Sequence, residues 1–192
     1  MSMTDSTSDP RLKRLFALVE MALTRAAAGL RAALALSNRS STSDSLDNQN
    51  APASVVVAAI EATPRASGIF VVNINYFGTD SAADTVTIEV VASQGPVTAF
   101  SGGTLEQAAG SATPPLPAVR YAKAGAVTAT ATGGNTLVAQ QSNTIAAPGV
   151  AAMALTARVP LTTGQAGLIL IELAATHNLS AQTLNVLCFE LP

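Results

Sequence analysis

The first strong pattern in the chain is a run of apolar residues at helical spacing between residues 10 and 36. Seven of them alternate steps of three and four residues: Leu12, Phe16, Val19, Leu23, Ala26, Leu30 and Ala33. This spacing is the seam of a heptad repeat, through which one helix packs on another. Pro10 suits the first helical position, and Asp9 before it can accept free amide hydrogens. The pattern predicts a helix over residues 10–37 whose seven seam residues serve for anchoring or oligomerisation.

Beyond residue 53 the apolar period changes from 3.6 residues to two. Val86, Ile88 and Val90 alternate with polar neighbours, which is typical of a strand with one buried face. Residues 168–171, Leu-Ile-Leu-Ile, are apolar on both faces and predict a central strand covered on each side. The predicted strands are 54–61, 68–77, 85–91, 97–100, 126–132, 136–141, 150–159, 168–174 and 183–191.

These elements predict a mainly β protein with an N-terminal α-helix followed by an antiparallel β-sandwich, a jelly roll of about eight strands. The expected division is a polar tail at 1–9, the helix at 10–37, a polar linker at 38–52 and the sandwich at 53–192. Gly133-Gly134-Asn135 predicts a tight hairpin between strands 126–132 and 136–141. Residues 95–118, rich in Gly and Pro, predict one short strand followed by a long loop.

Charge is scarce in this chain. Charged residues make up 11% of it, against about a quarter in ordinary soluble domains. A surface this neutral is expected where much of the exterior faces other subunits, although a solvated Ser/Thr/Asn surface is the alternative. Residues 11–39 contain six basic residues and one acidic residue, Glu20. That excess is weak evidence for nucleic-acid binding, and no apolar run reaches the length of a membrane span.

Residues with reactive side chains are few. His177 is the only histidine, so a multi-histidine metal site is excluded and any Ser-His-Asp triad would depend on it. Cys188 is the only cysteine, which excludes a disulfide within one chain and predicts a small buried side chain. Asp80, Asp84 and Glu89 could form a paired-carboxylate or calcium site, but turn aspartates commonly bond their own backbone. The sequence therefore predicts no catalytic residues, metal, cofactor or small-molecule substrate.

In outline, the chain resembles the small virion proteins of tailed bacteriophages. The resemblance rests on the heptads from Leu12 to Leu36 joined to the strands at 85–91, 168–173 and 184–191. In that family a helical or extended arm anchors a jelly-roll body on a capsid or tail. It implies a homotrimeric head decoration, cement or short-fibre protein that lacks catalytic activity, is assembled in the host cytoplasm and binds other virion proteins. Ala26 and Ala33 depart from a strong coiled-coil seam and favour packing against a host surface.

Two other functions stay open at this point. One is a jelly-roll trimer of C1q-like or lectin-like type that binds a cell-surface glycan or receptor, as a tail-fibre or adhesin module does. The absence of Trp and the presence of only two Tyr weaken it, because such sites depend on exposed aromatic faces. The other is a hydrolase, which would lose activity on His177→Ala.

Overall fold

The computed structural model describes residues 10–46, 54–107, 116–123, 125–177 and 179–192. One helix opens the described chain, α1 (Pro10–Ser37). The strands that follow it are β1 (Arg39–Ser45), β2 (Val55–Ala62), β3 (Ile69–Asp80), β4 (Asp84–Ser93), β5 (Val97–Gly102), β6 (Thr104–Gln107), β7 (Ala118–Tyr121), β8 (Val127–Ala131), β9 (Asn135–Ile145), β10 (Gly149–Pro160), β11 (Gly167–Ala174) and β12 (Ser180–Glu190). The predicted helix is confirmed at both ends, whereas the tail and Asp9 lie outside the described residues.

Eight of the strands form two antiparallel sheets. One has the order β1-β12-β3-β10, and the other contains β2-β11-β4-β9. In a jelly roll, eight strands form two Greek keys across two facing sheets, and this strand order has that arrangement. The predicted mainly β fold with an antiparallel sandwich is confirmed. The described residues hold twelve strands instead of about eight, because β5 to β8 are inserted between β4 and β9.

The core lies between the two sheets. Alternate residues of β3, including Phe70 and Ile74, point inward from one sheet and meet Ile88 of β4 and Ile169 of β11 from the other. All four side chains are almost completely buried. A buried aliphatic or aromatic side chain of this size contributes about 2 kcal/mol through the hydrophobic effect. The period-two pattern of the sequence thus places one face of each strand in this core.

The inserted strands β5 and β8 form a ribbon over the outside of the second sheet. Their residues Phe100, Val127 and Ala129 pack on Leu168 and Leu170 of β11. The neighbouring residues of β11 face the main core instead. This confirms the prediction that the apolar run at 168–171 is a central strand covered on each side.

The predicted hairpin at Gly133-Gly134 is wrong. Strand β8 pairs with β5, and β9 pairs with β4, so the two flanking strands belong to different sheets. The turn lies against the backbone of Gln94. Gly133 donates its amide hydrogen to the Gln94 carbonyl oxygen at 2.7 Å. A Cβ on Gly133 would collide with that same oxygen, which explains the glycine. The Gly-Gly sequence reflects this close approach, not a two-stranded hairpin.

The predicted linker at 38–52 is wrong over residues 39–45, which form β1 at the edge of the first sheet and pair with β12. The inward side chains of β1 are polar; the Ser40 hydroxyl is buried without a hydrogen-bond partner, whereas Thr42 and Asp44 have polar partners. Thr42 exchanges a hydrogen bond with the Tyr121 hydroxyl at 2.8 Å, and Lys123 pairs with Asp44 at 2.8 Å. Residues 47–53 lie outside the described residues. The sandwich therefore begins at the end of α1.

The long loop predicted after the short strand at 97–100 is wrong over residues 104–107, which form β6. Strand β6 pairs with β7, which adds two strands to the edge of the second sheet beside β2. Residues 108–115 lie outside the described residues. The strand predicted at 97–100 is confirmed as β5.

Candidate interaction surfaces and side-chain clusters

The seam of α1 is uncovered. Its large residues Phe16, Leu23 and Leu30 are 61%, 65% and 62% exposed. Leu12 and Val19 are exposed as well, and so are Ala26 and Ala33. The seven predicted anchor residues therefore share one accessible stripe on α1.

Apolar exposure on α1 is broader than this seam. Leu15, Leu18 and Met21 are also exposed, although they fall at other positions of the heptad. A helix that is apolar on more than one side is expected where it is buried by several neighbours. The first turns of α1 thus offer more apolar surface than a two-helix contact requires.

A second apolar surface is the side of the sheet β1-β12-β3-β10 that faces away from the core, called here the outer sheet face. Four of the six exposed large apolar side chains described in the sandwich lie on it: Ile69, Phe77, Val150 and Leu187. The charged side chains described on this face are Arg39 and Arg158. A soluble domain ordinarily scatters such apolar residues singly, and a group of them marks an interaction surface.

A polar groove crosses the middle of the outer sheet face. It is lined by Ser41, Asn73, Asn75, Asn185 and Leu187. Asn75 and Asn185 are directly paired across β3 and β12. The groove offers amide and hydroxyl groups that donate and accept hydrogen bonds.

Two carboxylates predicted from the sequence meet the single histidine at the end of the sandwich remote from α1. Asp80 ends β3, Asp84 begins β4, and His177 lies between β11 and β12. His177 Nδ1 is 3.5 Å from Asp84 Oδ2 and 4.0 Å from Asp80 Oδ2. Glu89 is not part of this cluster, because it lies farther along β4 and points outward beside Glu172.

Asp84 holds the connection between β11 and β12. Its carboxylate accepts hydrogen bonds from the amide of Thr85, from the amide and hydroxyl of Thr176, and from the amide of His177. Burial alone would raise the pKa of Asp84, but these hydrogen bonds, led by those from Thr176, lower it to about 2. Asp80 follows the predicted turn chemistry, since its Oδ1 accepts the amide hydrogen of Ala82 at 2.9 Å.

Cys188 is fully buried in the main core, as the sequence predicts. Burial raises the pKa of its thiol to about 12, with a further contribution from the charge of Glu190. A thiol in this state is a poor nucleophile. The half-exposed His177 lies at the surface, so the two residues do not form a Cys-His pair.

Sequence reasoning missed two of these features. It considered the pair Asp80 and Asp84 apart from His177, although the three residues form one cluster. It also missed the outer sheet face, for which the signal was the apolar residues at the solvent positions of β3, β10 and β12.

The comparisons add no assignment. A scan against protein-family models and a search of curated proteins each found no match. Within the described residues, no helix combines the length and apolar character needed to cross a membrane.

Proposed function

We propose that this chain is a non-enzymatic structural subunit of a virus particle, a homotrimeric capsid decoration, cement or fibre component held in place through α1. The observation that carries the proposal is the uncovered heptad seam. Covering a large apolar side chain contributes about 2 kcal/mol, and Phe16, Leu23 and Leu30 are each more than half exposed. A partner that covers the whole seam is therefore strongly favoured.

The low charge of the outer sheet face supports contacts between the sandwich domains themselves. Phe77 and Leu187 present apolar surface there, and the few described charges lie on β1 and β10. Homo-oligomers usually close around a symmetry axis, and their interfaces are depleted in charge. In the proposed assembly, sister sandwiches pack through the outer sheet faces while α1 binds its own copies or another virion protein.

Light scattering coupled to size exclusion tests the assembly. We expect the full chain to show three times its monomer mass of 19.3 kDa at micromolar concentration. Leu23→Glu places a charge in the seam and should reduce the mass. Thr24→Glu is the matched control, because it adds the same charge to the neighbouring exposed position and leaves the seam intact.

A monomeric full chain at micromolar concentration would oppose the proposal. So would equal association of the two variants, because contact through the seam predicts that they differ. The virion location is tested separately by immunogold labelling of particles with antibody raised against the sandwich. Absence of label from particles whose host cells contain the protein would contradict that location.

The polar groove favours a second function, binding of a cell-surface glycan or receptor by the trimer. Sugar hydroxyls hydrogen-bond to amide side chains such as those of Asn73, Asn75 and Asn185. Saturable binding of the full chain to cell-surface polysaccharide, lost in Asn185→Ala and retained in Thr128→Ala on β8, would support it. If sister subunits cover the groove, no such binding is expected.

A further inference from the structure

Two carboxylates are buried side by side at the end of the sandwich remote from α1. The side chains of Asp80 and Asp84 are 1% and 0% exposed. Burial of two negative charges at close range is unfavourable unless a positive charge or a hydrogen-bond donor compensates each of them. The ion-pair partner described for both is His177. Hydrogen bonds compensate Asp84, so the uncompensated position of the cluster is at Asp80.

One oxygen of this cluster has no hydrogen bond. Asp80 Oδ1 is occupied by the amide of Ala82, whereas Asp80 Oδ2 is buried and without a hydrogen-bond partner. That free oxygen lies on the side of His177 Nδ1 and Asp84, and the donor atoms of the three residues lie within 4.8 Å of one another. Leaving a buried carboxylate oxygen unpaired costs free energy, and a bound cation would remove that cost.

The separations match those between ligands of one metal ion. For metal–ligand bonds of about 2.1 Å, tetrahedral ligands lie about 3.4 Å apart, and octahedral ligands lie about 3.0 Å apart when adjacent. The two Nδ1 to Oδ2 distances are 3.5 and 4.0 Å, and all three atoms lie within 4.8 Å of one another, so they would move closer together around a shared ion. His177 is 49% exposed, which leaves the outer side of the cluster open to water as a remaining ligand.

The hydrogen bonds of Asp84 fit this role. Carboxylates that bind metals are themselves held by hydrogen bonds that fix their orientation. The amides of Thr176 and His177 hold the Asp84 carboxylate in this way and also place the His177 ring beside it. The cluster is thus rigid on the Asp84 side before any ion enters.

We propose that Asp80, Asp84 and His177 form a binding site for a divalent transition-metal cation, for which Zn²⁺ and Mn²⁺ are the probes. Carboxylate oxygen suits Mn²⁺, and a mixture of carboxylate and imidazole suits Zn²⁺. This differs from the absence of metal expected from the sequence. The ion would join the β3–β4 turn to the connection between β11 and β12. The site is independent of the proposed assembly, and either proposal can fail without the other.

Calorimetry and NMR on the protein without a polyhistidine tag test the site. We expect Zn²⁺ to bind with one ion per chain. Asp80→Asn and His177→Gln should each weaken binding at least about ten-fold, whereas Glu89→Gln, a change at a half-buried carboxylate of β4 outside the cluster, should leave it unchanged. Because His177 is the only histidine, its ring signals report on the site directly. Zn²⁺ should shift them, and Mn²⁺ should broaden them.

These signals keep the test decisive if one variant is less stable. Wild-type protein that binds neither metal would overturn the proposal, as would binding that survives both Asp80→Asn and His177→Gln. Ring signals that are unaffected by either metal would also contradict it.

Discussion

Asn38, the residue after α1, donates a hydrogen bond from Nδ2 to Glu190 Oε2 at 2.6 Å, and this contact fastens the base of the helix to the last strand of the sandwich. The same carboxylate accepts amide hydrogens from Arg65, Ala66 and Gly68 at 2.7 to 3.0 Å. Glu190 is buried, so it gathers the helix end, β12 and the β2–β3 turn around one charge. The point at which α1 leaves the body is thereby held by the fold.

Glu190→Gln tests this junction. One acceptor oxygen would become an amide that faces backbone amide hydrogens, so at least one buried donor would lose its partner. Hydrogen bonds to charged groups contribute about 1.5–3 kcal/mol each, and we expect the free energy of unfolding to fall by about 3 kcal/mol. Urea unfolding measures it, with Glu89→Gln, a change at a half-buried carboxylate on β4, as the control. An unchanged midpoint would mean that the Glu190 hydrogen bonds contribute little net stability.

Acid should destabilise the fold through Asp84. Its pKa is lowered from 3.8 to about 2 in the folded chain, so the folded state favours the ionised form. The resulting stabilisation is fully present above about pH 5 and is lost as the pH falls toward 2, amounting to about 2 kcal/mol. Urea unfolding at a series of pH values measures this loss.

Asp84→Asn is the matching variant. It should lower stability at pH 6 and remove most of the Asp84 contribution to the acid slope, because the group no longer titrates. Thr128→Ala on β8, a change at an exposed position that removes no titratable group, should keep the slope of the wild-type protein. A variant Asp84→Asn with the full wild-type slope would show that other carboxylates dominate acid unfolding.

Leu187→Lys tests the outer sheet face. Leu187 lies on β12, and a lysine there would place an unpaired charge in the proposed contact between sandwiches. We expect light scattering to show a lower mass than for wild-type protein. Leu137→Lys is the matched control, because Leu137 is an exposed leucine on β9 of the other sheet. Equal masses for the two variants would exclude this face as the contact.

The parts of the fold that could be predicted from the sequence are those in which apolar residues recur at regular spacing. The seam from Leu12 to Ala33 predicted α1, and the doubly apolar run at 168–171 predicted a strand covered on both faces. Strand β1 had no such signal, because its inward residues Thr42 and Asp44 bond to Tyr121 and Lys123 instead of entering an apolar core. Its side-chain partners are 79 residues away along the chain, and the strand it pairs with in the sheet is β12.

The strand pairing around turns and the grouping of site residues were harder to predict from the sequence, for a related reason. Gly133 indicates a bend, but a bend does not determine which strands pair on either side of it. Asp84 and His177 are 93 residues apart along the chain, and nothing local to either residue indicates the other. Their association depends on the strand order, which one sequence does not reveal.

The thiol of Cys188 gives a direct measure of how β12 opens. Its pKa is raised to about 12, chiefly by burial, and its side chain has no solvent exposure. A thiol-reactive dye at pH 8 should therefore label native protein only at the rate at which the strand unfolds, whereas unfolded protein should react at once with one dye per chain. Glu190→Gln should accelerate labelling because it weakens the end of β12. Rapid labelling of the native wild-type chain would contradict the packing of this strand in the core.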